Sequence, residues 1–381
     1  MTSTLDGEGP PLRICLAHPY TWPAVRRGGE RYLDDLSWWL RGRGHHVEVI
    51  TGSGGTVGDP GVGVRCAPRL ALIDRWGERA GLAPDDTFGL RALPLLVRRY
   101  DVVHALVPAA ALAARAAGQR TVYTVLGHPT ARALGDLPTH RRMLKAAARA
   151  ATVTVGLSAA SATAVSEVLG TTAEVLSPGV RLERFPASLG ARAGPPFVVF
   201  PSLASDRRKR LDVLMKAFAS LLRRRPDARL ALVGPGDPNW ALEHLAGGDR
   251  RAVESSLERP GEARDLAAWY RRASVTALPS VEEAFGLVLL ESLASGTPVV
   301  CTDDAGMPEI VTDPAVGRAV PPDNPDALAA ALAAAIDLAA QPGTPAACAS
   351  HARQWGWQES AGPAHERLYR RVAAGRPRRS R

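Results

Sequence analysis

Short apolar runs, cut off by glycine, proline and small polar residues, recur along the chain. They alternate with longer stretches whose apolar positions fall three and four apart. The runs at 12–17, 47–51, 101–106, 121–126, 153–155, 197–200, 229–233, 275–280 and 299–301 are short and largely apolar, which predicts buried strands. Helical patterns run through Trp38, Trp39 and Leu40 and over 158–169, 211–222, 266–272, 326–339 and 355–372. Strand and helix in alternation predict an α/β chain of doubly wound parallel sheets. A stretch rich in Gly, Ala and Pro at 187–196 predicts a linker between an N-terminal domain at 12–186 and a C-terminal domain at 197–355. A last helix follows at 356–372. The polar N-terminus, 1–11, and the basic tail, 373–381, are expected to be disordered.

The length of 381 residues is too great for one ordinary core and suits two, and 46% hydrophobic residues suffice for both. No apolar run approaches about 18 residues, so no transmembrane helix is expected. Residues 1–11 lack the apolar core of a signal peptide. Cys15, Cys66, Cys301 and Cys348 are scattered without metal spacing, which predicts four reduced thiols in a cytoplasmic protein. The net charge of +9 would suit nucleic acid, a membrane surface or an anionic substrate. No basic stripe is interleaved with aromatic residues, which argues against nucleic acid. Arg141, Arg142, Lys145 and Arg149 share one face of a helix ending near Ala151. A solvated face is expected there, with membrane-surface association as the alternative.

Candidate chemistry concentrates at 280–298. Glu283 lies in a polar loop, an apolar helical run follows, and Glu291 falls a little over two turns into it. Gly296 and Pro298 mark the helix end. The two glutamates are too far apart for a helical neighbour pair. Between them the N–H groups of Phe285, Gly286 and Leu287 would point out of the helix start, as donors suited to a phosphate. A carboxylate on each side of such a cradle suits a nucleotide sugar, with Glu291 on ribose hydroxyls and Glu283 on sugar hydroxyls. Two surface glutamates on an amphipathic helix are the plain alternative. Gly28 and Gly29, between the first strand and the first helix, form a second place where backbone can approach an anion. The basic cluster at 205–210, between a strand and a helix, suits a diphosphate; a charged loop is its plain alternative.

Glu283, Phe285-Gly286-Leu287, Glu291, Gly296-Thr297-Pro298-Val299-Val300 and the run from Gly306 to Val311 resemble the signature of retaining family-four glycosyltransferases. Their hallmark is a glutamate pair with seven intervening residues. Their fold is GT-B, two Rossmann-like doubly wound domains facing a central cleft. The resemblance covers about 12–372. It implies retaining transfer of a hexose-type sugar, hexosyl or N-acetylhexosaminyl, from a nucleoside-diphosphate sugar to a hydroxyl acceptor. That acceptor would be a glycan, a natural product or a small metabolite, with a lipid as the alternative for a peripheral-membrane enzyme. It implies no cofactor and no metal beyond the donor as co-substrate, and a last helix that crosses back to the first domain.

The resemblance also places residues. Gly28 and Gly29 would face the donor diphosphate, Lys209 matches the family lysine, and Gly234 matches a turn near the nucleotide. Glu283, Phe285, Gly286, Leu287 and Glu291 would complete the donor site, and the acceptor would bind near the aromatic loop at 18–22. The sequence departs from the pattern in three places. Leu126 stands where the family carries a histidine, so His128, two residues on, is the candidate to replace it in catalysis beside Glu283. Pro201 and Ser202 stand where Gly-Arg is usual, so Arg207 or Arg208 must supply the arginine. Arg181 replaces an aspartate. These departures motivate a non-catalytic homologue acting as a partner protein. A pyridoxal-dependent phosphorylase of similar architecture is the other rival, but Lys145, Lys209 and Lys216 lie in no cofactor motif. His104 is expected to be structural.

Overall fold

The computed structural model describes residues 9–52, 57–79, 85–131, 134, 138–188 and 194–375. The chain divides into two compact units. One takes the chain up to Gly179 and again from Trp357 onward; the other is Val180–Gly356.

The first unit is built on strands β1 (Arg13–Ala17), β2 (His46–Thr51), β3 (Gly63–Cys66), β4 (Val102–Ala105), β5 (Thr121–Val125), β6 (Val153–Gly156) and β7 (Ala173–Val175). Their order is 3-2-1-4-5-6-7, all parallel. Residues 14–17, 102–105 and 121–125 are buried throughout, as helices on both faces of a parallel sheet require. The second unit carries β8 (Phe197–Phe200), β9 (Arg229–Val233), β10 (Leu257–Gly261), β11 (Val275–Leu278), β12 (Val299–Thr302) and β13 (Gly317–Val320), ordered 10-9-8-11-12-13 and again parallel. In each sheet the order reverses beside the first strand, between β1 and β4 and between β8 and β11. Loops leaving the carboxyl ends of those strands form the crevice where such sheets bind ligands.

The helices that matter for the site are α1 (Gly28–Gly42), α2 (Pro138–Ala150), α3 (Ala159–Leu169), α4 (Leu211–Leu222), α5 (Leu266–Arg272), α6 (Leu287–Ala294), α7 (Pro325–Ala339) and α8 (Gly362–Ala374). Their ends follow local chemistry. Ser158, Asp265 and Asn324 cap α3, α5 and α7 by accepting from the backbone N–H three residues on. α6 ends in a paired motif: Gly296 N–H donates to Leu293 O and Thr297 N–H to Ser292 O, with Gly296 at φ 82°. The core of the second unit packs Leu214 and Phe218 of α4 with Leu328 and Leu332 of α7. Among the described residues no single helix is long and apolar enough to cross a membrane; one bent pair, Pro325–Ala339 with Thr344–Trp355, passes by length and composition. On α2, Leu144, Ala147 and Ala148 face inward, while Arg141, Arg142 and Arg149 are exposed.

The C-terminal segment belongs to the first unit. After a π-turn at Trp357–Ala361, α8 carries His365 and Tyr369 into full burial. The Tyr32 hydroxyl and His365 Nε2 are 2.7 Å apart. His104 bonds Tyr369 Oη and Thr124 Oγ1 at 2.6 Å each, so it is a satisfied core residue. Residues 180–186, expected in the N-terminal domain, fall in the second unit. Their neighbour Ser188, expected in the linker, donates from its N–H to Ser295 O. The rest of that linker at 189–193, the N-terminal 1–8 and the tail beyond Gly375 lie outside the described residues; Arg370 holds the carbonyls of Gly9 and Pro10. The four cysteines are free thiols, and burial pushes that of Cys301 up to about 12.

Candidate active site

Two loops at the reversal of the second sheet hold most of the candidate residues. The loop after β8 ends in a turn of 3-10 helix, Arg207–Lys209, capped by Asp206. The loop after β11 carries Ser280 to Gly286, and Val281 N–H donates to Arg208 O at 2.8 Å. This stitch brings Lys209 Nζ onto the Glu283 carboxylate, both side chains half-buried. The other basic residues of the cluster are turned elsewhere. Arg208 chelates Asp206, Arg207 stacks 4.4 Å from the Trp240 ring centroid, and Arg210 pairs with Asp212 and Asp323.

The backbone around the pair is strained. Among the described residues, the non-glycine positions with left-handed φ are Arg210, Glu282, Ala305 and Asp323. Each such residue costs about 1–3 kcal/mol and persists only where its surroundings hold it. Arg210 follows Lys209 and its guanidinium takes Asp323; Glu282 precedes Glu283. Ala305 precedes Gly306, whose N–H donates to Glu283 O at 3.0 Å. Glu282 N–H in turn reaches Asp304 Oδ2 at 2.5 Å. The fold therefore fixes Glu283 from both sides.

The helix after Glu283 starts later than its sequence suggests. Gly286, at φ 102° and ψ 50°, is the N-cap of α6, so Phe285 lies before the helix and is buried rather than part of the amide cradle. Leu289 N–H already bonds Gly286 O, which leaves the amides of Leu287 and Val288 at the open end. Glu291 is then the fifth residue of α6, a little over one turn in rather than two. It is buried at 5% exposure, and Tyr270 of α5 donates its hydroxyl to Oε2 at 3.0 Å. Tyr270 carries no signal in the sequence, where it reads as one more apolar position of a short helix. Gly234 is required by packing: a Cβ there would stand 2.2 Å from Ser202 O.

In the first unit, Gly28 and Gly29 open α1, and no side chain caps its first turn. A Cβ on Gly29 would stand 2.9 Å from Leu126 Cδ1. Leu126, not His128, faces that turn; His128 Nδ1 lies 3.3 Å from Ser161 Oγ on α3. The structure thus joins Lys209 with Glu283 and seats Glu291 one turn along α6, but carries His128 to α3.

Two family models match the chain. Residues 26–184 match the model described as Glycosyltransferase Family 4, and residues 195–337 match that described as Glycosyl transferases group 1, so that together they span most of it. The chain belongs to the family-four-like glycosyltransferases. The chain is 37% identical over 208 residues to a D-inositol 3-phosphate glycosyltransferase of Streptomyces scabiei, covering 49% of this chain and 46% of that one. It is 33% identical over 214 residues to a protein of the same name from Paenarthrobacter aurescens, covering 53% and 52%. The chain spans about half the length of the curated relatives it matches. Its fold is GT-B. Sucrose-phosphate synthase from Thermosynechococcus elongatus superposes with a TM-score of 0.75 at 22% identity, over 95% of this chain and 99% of that one. Anabaena HepE in complex with UDP and glucose superposes with a TM-score of 0.73 at 20% identity, over 96% and 100%.

Proposed function

We propose that this glycosyltransferase moves a hexose-type sugar from a nucleoside-diphosphate sugar to a hydroxyl acceptor, with retention of anomeric configuration. The observation that carries the reading is the Lys209–Glu283 pair, held by strained backbone beside the open end of α6. A cation and a carboxylate pre-placed next to helix amides suit a diphosphate with a sugar attached. Lys209 neutralises the leaving diphosphate as the sugar departs, and the amides of Leu287 and Val288 assist. Glu283, released from Lys209 when the donor arrives, holds the hydroxyls of the transferred sugar. Glu291, oriented by Tyr270, takes the ribose. The acceptor hydroxyl attacks on the face the phosphate leaves, and its proton passes to the departing phosphate oxygen. His128 Nδ1 lies 3.3 Å from Ser161 Oγ. A phosphorylated cyclic polyol is the first acceptor to try, given the names of the relatives that match half the chain.

A thermal-shift screen over uridine, guanosine and deoxythymidine diphosphates, followed by transfer assays with the matching donors, tests this. A ligand at a hundred times its dissociation constant raises stability by about 2.7 kcal/mol, which the screen reads easily. Lys209→Ala should then weaken the best diphosphate by about 1.5–3 kcal/mol. Undiminished affinity in that variant, or no stabilisation by any nucleotide, overturns the reading.

A further inference from the structure

The loops after β11 and β12 are joined by three hydrogen bonds in a row, and the middle one is accepted by a carboxylate. Thr302 donates its hydroxyl to Ser280 O, Glu282 N–H donates to Asp304 Oδ2 at 2.5 Å, and Gly306 N–H donates to Glu283 O at 3.0 Å. Ser280, Thr302 and Gly306 are buried and Asp304 is half-buried. Asp304 is fixed at its own end, because its carbonyl accepts Met307 N–H at 3.4 Å, at the turn of 3-10 helix Met307–Glu309. Its carboxylate thus reaches the neighbouring loop from a held backbone.

Glu282 is the residue on which that acceptor acts. Its φ of 57° lies in the left-handed region, where Cβ crowds the following carbonyl. Left to itself, such a residue favours negative φ by about 5- to 150-fold. No helix or strand ladder opposes that drift, since residues 279–286 lie between β11 and α6. A bond from the Glu282 N–H to a charged oxygen opposes it, and such a bond is about twice as strong as one to a neutral acceptor. If φ at Glu282 changed sign, the following peptide would turn and carry Glu283 away from Gly306. Lys209 would stay, because its loop is tied separately, by Val281 N–H to Arg208 O at 2.8 Å.

We propose that Asp304 is a positioning residue for the transfer reaction. By holding Glu282 in the left-handed conformation it sets Glu283 against Lys209, and it touches no substrate itself. The proposal rests on the reading of Glu283 as the carboxylate that holds the transferred sugar.

Three variants test it: Asp304→Ala, Asp304→Asn, and Asp304→Ala combined with Glu282→Gly. The first readout is amide hydrogen exchange at Gly306, corrected for intrinsic rates, which reports the bond to Glu283 without any substrate. In Asp304→Ala it should speed up by as much as about 150-fold, the upper end of the left-handed bias. Turnover of the donor should fall about tenfold or more, within the same range. Calorimetry should find the bare diphosphate bound nearly as tightly as before, because Lys209 has not moved. Asp304→Asn keeps an acceptor oxygen and should restore most of the protection and the turnover. Glycine enters positive φ without the Cβ penalty, so the double variant should regain protection at Gly306 that Asp304→Ala loses. Unchanged exchange at Gly306 in Asp304→Ala overturns the proposal, as does a double variant no better protected than the single one. Faster exchange beside full turnover also overturns it, since the loop so held would not serve the reaction. If the intact protein turns over no donor, the transfer reading fails, while exchange at Gly306 still decides whether Asp304 holds Glu283. Should Asp304→Ala not fold alone, folding in the Glu282→Gly background supports the proposal, and failure in both sinks it.

Discussion

At the scale of single residues, the site separates two glutamates that look alike in sequence. Glu283 sits in a loop fixed by Gly306 and paired with Lys209, while Glu291 is buried under the Tyr270 hydroxyl. Under the proposed roles, Glu291 meets ribose, which donor and product share, and Glu283 meets the transferred sugar, which the product lacks. Glu291→Gln should therefore weaken donor and bare diphosphate alike. Glu283→Gln should leave the bare diphosphate nearly as tight and lower the turnover rate instead, since contacts to the reacting sugar tighten as positive charge develops. Calorimetry with the diphosphate and steady-state rates with the donor separate the two. A Glu283→Gln protein that binds diphosphate many-fold more weakly, beside an unaffected Glu291→Gln, would show the roles reversed.

At the scale of elements, two glycines bracket α6 and do different work. Gly286 caps its start at φ 102°, where a Cβ would meet Leu289 Cδ1 at 3.2 Å and Met307 Cγ at 3.3 Å. Gly296 ends it at φ 82°, where a Cβ would meet Pro345 Cβ at 3.1 Å. Alanine at either position should cost about 1–2 kcal/mol, the penalty of left-handed backbone for an L-residue. Only Gly286→Ala should also weaken nucleotide binding, because it alone moves the loop carrying Glu283. Equal losses of affinity in both variants would mean that the effect is general softening of the unit. The same helix shows how far a sequence can be read. Its run of apolar residues, its end at Gly296 and the strand at 299–302 are legible, since burial on all sides leaves a continuous apolar signature. Its start is not: a polar loop conceals that Phe285 is buried before the cap. Central strands are legible for the same reason as α6. The strands β3, β7, β10 and β13 alternate with solvent or lie half-exposed, and carry no apolar run to find. The Lys209–Glu283 pair joins residues 74 apart, which no local pattern encodes.

At the scale of the whole molecule, the first unit depends on a segment encoded at the far end of the chain, and the seat of that segment is made of neutral imidazoles. His104 on β4 meets Tyr369 of α8, and Tyr32 of α1 meets His365 of α8, all fully or almost fully buried. Burial holds His104 well below the ordinary imidazole range and His365 down to about 4. In the unfolded chain both titrate near 6.5. Between about pH 6.5 and 4 the unfolded chain binds protons that the folded unit refuses. Stability is therefore fully present above that window and falls as the pH drops through it, by up to about 1.4 kcal/mol per pH unit for each ring. Glu366 adds a loss of the same direction at lower pH. Burial would raise its carboxyl, but the Arg370 hydrogen bonds and the charge of Arg43 outweigh burial and hold it below the usual range. Hydrogen exchange resolves the consequence segment by segment. On going from pH 7.5 to 5, and after correction for intrinsic exchange rates, the amides of α8, β4 and β5 should lose protection together, while those of β8 and β11 hold theirs. His365→Gln should start less stable but lose less with acid, because one of the two refusing groups is gone. If α8 is as protected at pH 5 as at 7.5, or if His365→Gln keeps the full pH dependence, the buried imidazoles are not what ties the end of the chain to its beginning.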